Sequence, residues 1–359
     1  MEDKGHRLRL EKLRRSLERE GLRGATMTAG PNLRYYTGVK SLLLERPFLF
    51  FVPIEGEPHM VAPELEAGPY RSCPIRINIH GWTDNEGPGK AFRELTGGIE
   101  VSGRWGVEGR VPFLFLHHLT RYATPKLDNA EPVLQAVRER KDEEEVSLMK
   151  RSAEILSGSY LKIPNLLEEG ITELELERKI SDEIFSQGAD HIEDMLVQSG
   201  EKSADPHSLP SKRKIRRGES IVIDASSTYS GYFADMTRTF IIGRNSEFEA
   251  TYAKVLEAEE KAIQRSRGGV TVGSVDAAAR GFLKREGLDQ YFIHRTGHGL
   301  GLEVHEAPYI VDRGKEVLRS NMFFTVEPGV YKPGRYGVRI EDNVMSTDRG
   351  RDVVTSTPK

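Results

Sequence analysis

Cysteine is all but missing from this chain. Cys73 is the only one in 359 residues, so no internal disulfide can form and no thiolate cluster can hold a metal, a composition that suits a reducing compartment. Long apolar runs are missing too. No window approaches the ~18 consecutive apolar residues of a membrane-spanning helix, and the opening MEDKGHRLRL lacks the apolar core of a secretory signal. Nor is there an excess of one charge: 52 basic residues stand against 55 acidic, a net charge of −3, so neither nucleic acid nor an anionic membrane is expected as a partner. These absences make the cytoplasm the expected place of action and leave His, Asp and Glu as the available metal ligands.

What is present suits an α/β protein of two domains. From Arg7, the leucines Leu10, Leu13 and Leu17 recur at helical spacing and Gly21 stops the helix. Short β-like runs follow at 25–28, 48–53, 75–80 and 105–108, giving an N-terminal α/β domain over residues 1–137. His117 and His118 are adjacent and point apart on a helix, so they are read as packing or surface, and Tyr35 and Tyr36, which could line a substrate pocket, are not claimed as a site, since tyrosines in a loop joining strands are as often simple packing. The charge run RERKDEEE at 138–145 marks the boundary, and a second domain spans 138–359.

In that second domain a pattern occurs twice. Val146, Met149, Ala153, Leu156 and Tyr160 mark one helix, and a capping box of Thr172 with Glu175 opens another. A strand at 192–198 and a hairpin at 221–243 follow. Then Ser246 with Glu249 reads as a further capping box, a fourth helix runs from about Ser274 to Gly287, and a second hairpin joins 323–331 to 336–344. Two helix–helix–sheet halves predict an internally duplicated domain with one site between its halves. The basic run KRKIRR at 212–217 is read as a solvated turn.

Both hairpins carry acids. Asp224 and Asp235 each sit in an apolar run, and a turn centred on Tyr229 and Ser230 would set them directly opposite, with Cβ atoms roughly 4.5–5.5 Å apart. Such a pair needs shared protons or a cation. A solvated hairpin face is the ordinary alternative, but Ile221, Val222, Ile223, Phe240, Ile241 and Ile242 around the acids favour burial. Glu327 and Glu341 form a second pair, opposed about Gly334. Between the hairpins, RTGHGLGLEVH at 295–305 flanks His298 with glycines. Four carboxylates and one imidazole suit two divalent ions sharing bridging carboxylates.

These residues resemble the pita-bread metallopeptidases, the family of methionine aminopeptidase, aminopeptidase P and the Xaa-Pro dipeptidases (prolidases). The resemblance is carried by Asp-Met-Thr-Arg-Thr at 235–239, Thr-Gly-His-Gly-Leu-Gly-Leu-Glu-Val-His at 296–305, Val-Glu-Pro-Gly-Val-Tyr at 326–331 and Val-Arg-Ile-Glu-Asp at 338–342. Asn-Leu-Arg-Tyr-Tyr-Thr-Gly at 32–38 resembles the first domain of the prolidase and aminopeptidase P branch. One departure is the Ala225-Ser226 pair after Asp224, where the family usually carries a glycine two residues on.

The resemblance implies a creatinase-like α/β domain followed by a pita-bread α+β domain, a homodimer, and two ions of manganese, cobalt or zinc. It implies that Asp224 holds one ion and His298 and Glu327 the other, with Asp235 and Glu341 bridging both. A hydroxide between the ions would attack the scissile carbonyl, with Glu327 as proton acceptor, His207 near the scissile nitrogen and His305 at the carbonyl oxygen. Arg339, on the strand face of Glu341, would brace the carboxylates, with an ordinary surface ion pair as its alternative. The function implied is hydrolysis of Xaa-Pro dipeptides. Aminopeptidase P, acting on longer Xaa-Pro peptides, shares all five ligands and is the near alternative. A metal-free creatinase-like hydrolase and a binding protein without catalysis are disfavoured by the complete ligand set.

Overall fold

Leu10, Leu13 and Leu17 are buried along one face of the opening helix Glu2–Arg19, and Gly21, at φ 66°, lets the chain leave it. In the computed structural model, which describes residues 2–359, this helix belongs to the first of two compact units; that unit ends at Arg138 and the second begins at Glu139. The first unit holds a six-stranded mixed sheet of β1 (Gly24–Met27), β2 (Leu49–Pro53), β3 (His59–Pro63), β4 (Asn78–Trp82), β5 (Arg104–Val107) and β6 (Lys126–Asn129), in the order β4-β3-β2-β1-β5-β6. The strand expected at 75–80 lies later, at β4. Two strands were not anticipated: β3 is short and ends in proline, and β6, sequence KLDN, is a largely exposed edge without an apolar pattern to read. Tyr35 and Tyr36 are fully buried, as packing residues should be.

The second unit begins with the helices Glu143–Tyr160 and Glu173–Ser186, each opened by a capping box, Asp142 with Glu145 and Thr172 with Glu175. They pack on an antiparallel sheet of β7 (His191–Ser199), β8 (Ser220–Tyr229) and β9 (Tyr232–Ile241). Strand alternation sorts the side chains. Ile221, Ile223, Ala225, Ala234 and Met236 join Ala153, Leu156, Leu176 and Ile180 in one apolar core, in which each Ile, Leu or Met side chain contributes about 1.5–3 kcal/mol by burial. Asp224 and Asp235, one residue out of phase, face the other way.

The register of this hairpin corrects the expected one. Tyr229 pairs with Tyr232, so the turn is Ser230–Gly231 rather than Tyr229–Ser230. Both turn residues have positive φ, 49° and 75°, the type I′ geometry that matches strand twist. Gly231 adopts that conformation freely, whereas a tyrosine resists it. The shift pairs Asp224 with Thr237 and Asp235 with Ser226, so the two acids are diagonal neighbours on one face, not directly opposed.

The second half repeats the order. Helices Ser246–Arg265 and Val272–Arg285 lead into β10 (Gly297–Gly299), β11 (Glu306–Ile310), β12 (Phe323–Val326), β13 (Gly329–Lys332), β14 (Tyr336–Arg339), β15 (Asp342–Ser346) and β16 (Arg351–Val353). Five of these form a sheet ordered β11-β10-β12-β15-β16, and β13 pairs with β14. The first of the two helices is capped by Asn245, whose side chain accepts from the Phe248 amide, so the expected cap Ser246 is instead the first helical residue. Phe324, Val326, Val338 and Ile340 pack with Val255, Ala258, Val275 and Ala279. The residues that alternate with them, Thr325, Glu327, Arg339 and Glu341, are thereby turned toward the other half. No helix among the described residues is long and apolar enough to cross a membrane.

Candidate metal centre

Two rows of side chains cross the open face of the β7-β8-β9 sheet: Asp194, Ser226 and Asp235 form one, and Leu196, Asp224 and Thr237 the next. The second half is stitched to this face along β9. The Glu341 amide donates to the Thr237 carbonyl at 3.1 Å. Asn343 donates through Nδ2 to the Asp235 carbonyl at 2.6 Å and accepts from the Asp235 amide at 3.1 Å. Thr237 Oγ1 then donates to Glu341 Oε2 at 2.7 Å, which fixes that carboxylate beside Asp235.

Glu327 arrives by the register of the second hairpin. Val326 pairs with Asp342 and Gly329 with Arg339, one continuous register in which Glu327 stands opposite Glu341, as a turn about Gly334 implies. His298 enters on β10, where space dictates the glycines. A Cβ at Gly297 would run into the Thr325 carbonyl, and one at Gly299 into the Ala307 carbonyl. His298 Nδ1 bonds to the Gly299 carbonyl at 3.1 Å, leaving Nε2 to point at the acids, 3.4 Å from Glu327 Oε1 and 3.7 Å from Asp235 Oδ2. Asp235, His298 and Glu341 each offer a donor atom within 4.8 Å of the others.

Electrostatically, the cluster wants a cation. Burial, reinforced by the Asp224 charge, holds the Asp235 carboxyl well above the usual range. Burial and Asp235 do the same to Glu341, and burial pushes Glu327 up to about 7. Burial pushes His298 down to about 3, so it is a neutral imidazole and its contacts with the acids are not ion pairs. A neutral imidazole with its lone pair aimed at acids that resist ionisation is the donor set a divalent cation satisfies.

The acids line a cavity of about 700 Å³, and His207 and His305 lie on its wall. The His305 ring stands 4.2 Å from that of His298, centroid to centroid. Arg339 lies beneath. It is buried and donates to Asp224 Oδ2 at 2.6 Å, to Tyr331 OH at 2.8 Å and to Thr237 Oγ1 at 3.1 Å, so its contact with Asp224 is not a surface ion pair. The structure thus brings Asp224, Asp235, His207, His298, His305, Glu327, Arg339 and Glu341 to one cavity.

Two further residues on that wall were not anticipated. His294 bonds through Nε2 to Tyr331 OH at 2.9 Å and lies 4.0 Å from Glu327 Oε2; burial lowers its pKa to about 4. Its signal was available, since it precedes His298 by four residues in the same glycine-bearing stretch. Asp194, whose pKa is raised by burial and by Asp224, left no local signal, because only strand pairing carries it to the Asp235 row.

Residues 147–348 match metallopeptidase family M24, and residues 9–140 match the creatinase/prolidase N-terminal domain. The chain belongs to metallopeptidase family M24. It is therefore a metal-dependent peptidase, built as a creatinase-type N-terminal domain and a pita-bread domain. It is 35% identical over 343 residues to the probable dipeptidase PepE of Mycobacterium tuberculosis, covering 94% of this chain and 91% of that one. Among solved structures, the prolidase of Thermococcus sibiricus matches with a TM-score of 0.92 at 35% identity, covering 99% of this chain and 98% of that one. A dipeptidase from Pyrococcus horikoshii matches with a TM-score of 0.93 at 34% identity, covering 98% of each chain. In an M24 chain the buried acids and His298 have a direct reading as a divalent-metal site, and the donor chemistry fits it.

Proposed function

We propose that this M24 chain is a dinuclear-metal exopeptidase that hydrolyses the Xaa-Pro bond, with Xaa-Pro dipeptides as its substrates. The observation that carries the reading is the convergence of Asp224, Asp235, His298, Glu327 and Glu341 on one wall of a cavity roomy enough for a short peptide. Two kinds of relative support it, the dipeptidases and the prolidase named above. Asp224 would hold one ion and His298 with Glu327 the other, while Asp235 and Glu341 would serve both. Manganese, cobalt and zinc all suit such ligands. Bound divalent ions supply Lewis acidity toward water and the scissile carbonyl.

The chain's own groups do the rest. Glu327 accepts and returns a proton at its carboxylate. His207 and His305 hold the substrate across the scissile bond from the cavity wall. Arg339 keeps Asp224 in place through its fork of donors. The same reading makes the protein a cytoplasmic homodimer, in keeping with its single cysteine.

The test uses chelator-stripped protein reloaded separately with manganese, cobalt and zinc, assayed on Met-Pro and on Met-Pro-Gly-Gly. Preferential cleavage of the dipeptide is expected. Cleavage mainly of the longer peptide would move the function to aminopeptidase P. No cleavage of either, with two metals bound per chain, would overturn the reading.

A further inference from the structure

His207 sits in an irregular, exposed loop, Asp205-Pro206-His207-Ser208-Leu209-Pro210, and a substrate-holding imidazole there needs a support. The far end of the loop has one. Glu173, fully buried, accepts from the amides of Ser199 and Ser211 and from Lys202 Nζ, which also donates to the Leu209 carbonyl. Around His207 itself the anchoring comes from another residue. Gln198, the next position after Leu196 on the open face of β7, is fully buried. Its Nε2 donates to the Pro206 carbonyl and to the Ser208 carbonyl, both at 3.0 Å. One carboxamide thus grips the backbone on either side of His207, using both of its N–H donors.

The geometry is costly to the protein, which is why it is informative. Gln198 Oε1 is buried without a hydrogen-bond partner among the described residues, and rotating the amide would set that oxygen against two carbonyls and lose both bonds. A purely packing role at this position would be filled by an aliphatic side chain. Pro206 offers no N–H, and within the loop the His207 amide is bonded only to Asp205 Oδ1, at 3.1 Å. Among the described residues no side chain from outside the loop other than Gln198 bonds the backbone from 205 to 208.

We propose that Gln198 is the positioning residue for His207, clamping the two peptide units that flank it so that the imidazole is presented to the substrate. The inference rests on the role given to His207 above. Its test compares Q198L, which keeps the volume and removes both donors, with H207A and the double variant, all manganese-loaded and assayed on Met-Pro. Q198L is expected to lower kcat/KM on the order of 10- to 100-fold. H207A should lose at least as much, and the double variant no more than H207A, because Gln198 acts only through His207. Losses that simply add would mark an independent structural role and overturn the proposal, as would full activity in Q198L.

A second readout does not depend on activity. In histidine-labelled protein loaded with diamagnetic zinc, the His207 ring resonance, assigned by its absence in H207A, should shift or broaden in Q198L while those of His298 and His305 hold. An unmoved His207 resonance overturns the clamp even if the enzyme proves inert on Xaa-Pro peptides. An H207A enzyme of full activity would refute the role of His207 alone and leave the resonance to decide Gln198. Should Q198L not fold, Q198M, unbranched and equally without donors, takes its place.

Discussion

Arg339 shows how much one side chain can be asked to do. Its three donor nitrogens reach Asp224, Thr237 and Tyr331 from a buried position, and Tyr331 passes the contact on to His294. A lysine keeps the charge but has one nitrogen, so it cannot serve three acceptors in a plane. R339K is therefore expected to lose roughly 10- to 100-fold in metal affinity or activity, the usual penalty for removing a partner behind a ligand; metal titration followed by calorimetry checks it, and an unchanged affinity with unchanged kcat would contradict the bracing role. Neither this contact nor that of His294 is local in the chain. Arg339 and Asp224 are 115 positions apart, so alternation could tell which way Arg339 points but not what it meets.

At the scale of the element, the turn Ser230–Gly231 sets where the acids of the first hairpin stand. A two-residue turn with both residues at positive φ places Asp224 diagonal to Asp235, one pair away from direct opposition. Replacing Gly231 by alanine adds a Cβ at φ 75° and should destabilise the protein by about 1–2 kcal/mol, measured by urea unfolding; a change within error would mean the turn tolerates that strain. That the acids lie in buried, apolar strands was legible here, and the packing places Ile221 and Ile223 on the face away from Asp224. The register was not, because Tyr229-Ser230 and Ser230-Gly231 are both plausible turns by composition and only the φ preference at the second position separates them. The capping boxes expected at Thr172 and Ser246 divide the same way: the motif was readable at Thr172, whereas at Ser246 the cap moved one residue to Asn245.

Across the whole molecule, folding forces carboxyls together before any cation compensates them. Asp235, Glu341 and Glu327 all have raised pKa values in the folded chain, Glu327 from 4.5 to about 7. These carboxyls therefore hold protons in the folded metal-free protein that the unfolded chain releases above about pH 4.5, so their contribution makes stability fall as pH rises through that value toward about 7, while His298 and His294, held neutral by burial, oppose that slope only below about pH 6.5. Metal binding displaces those protons, so affinity should rise with pH over the same window and the loaded protein should lose much of that slope. Thermal melts from pH 5 to 8 with and without chelator check both signs, and equal slopes would contradict them. At a free metal concentration of 100 times Kd the loaded form should gain about 2.7 kcal/mol.

By itself the sequence determined the opening helix, the helices and acid-bearing strands of the second domain, and the chemistry, namely that four carboxylates with one imidazole in glycine-flanked strands suit divalent ions. Those are matters of local pattern, fixed by helical and strand periods and by side-chain type. Only the tertiary structure decided how the pieces meet. Asn343 grips the Asp235 backbone from 108 positions away, Gln198 holds the loop of His207, and Asp194 joins the acid row. Hydrogen bonds across strands and loops depend on register and on approach in space, and neither is written in the spacing of residues along the chain.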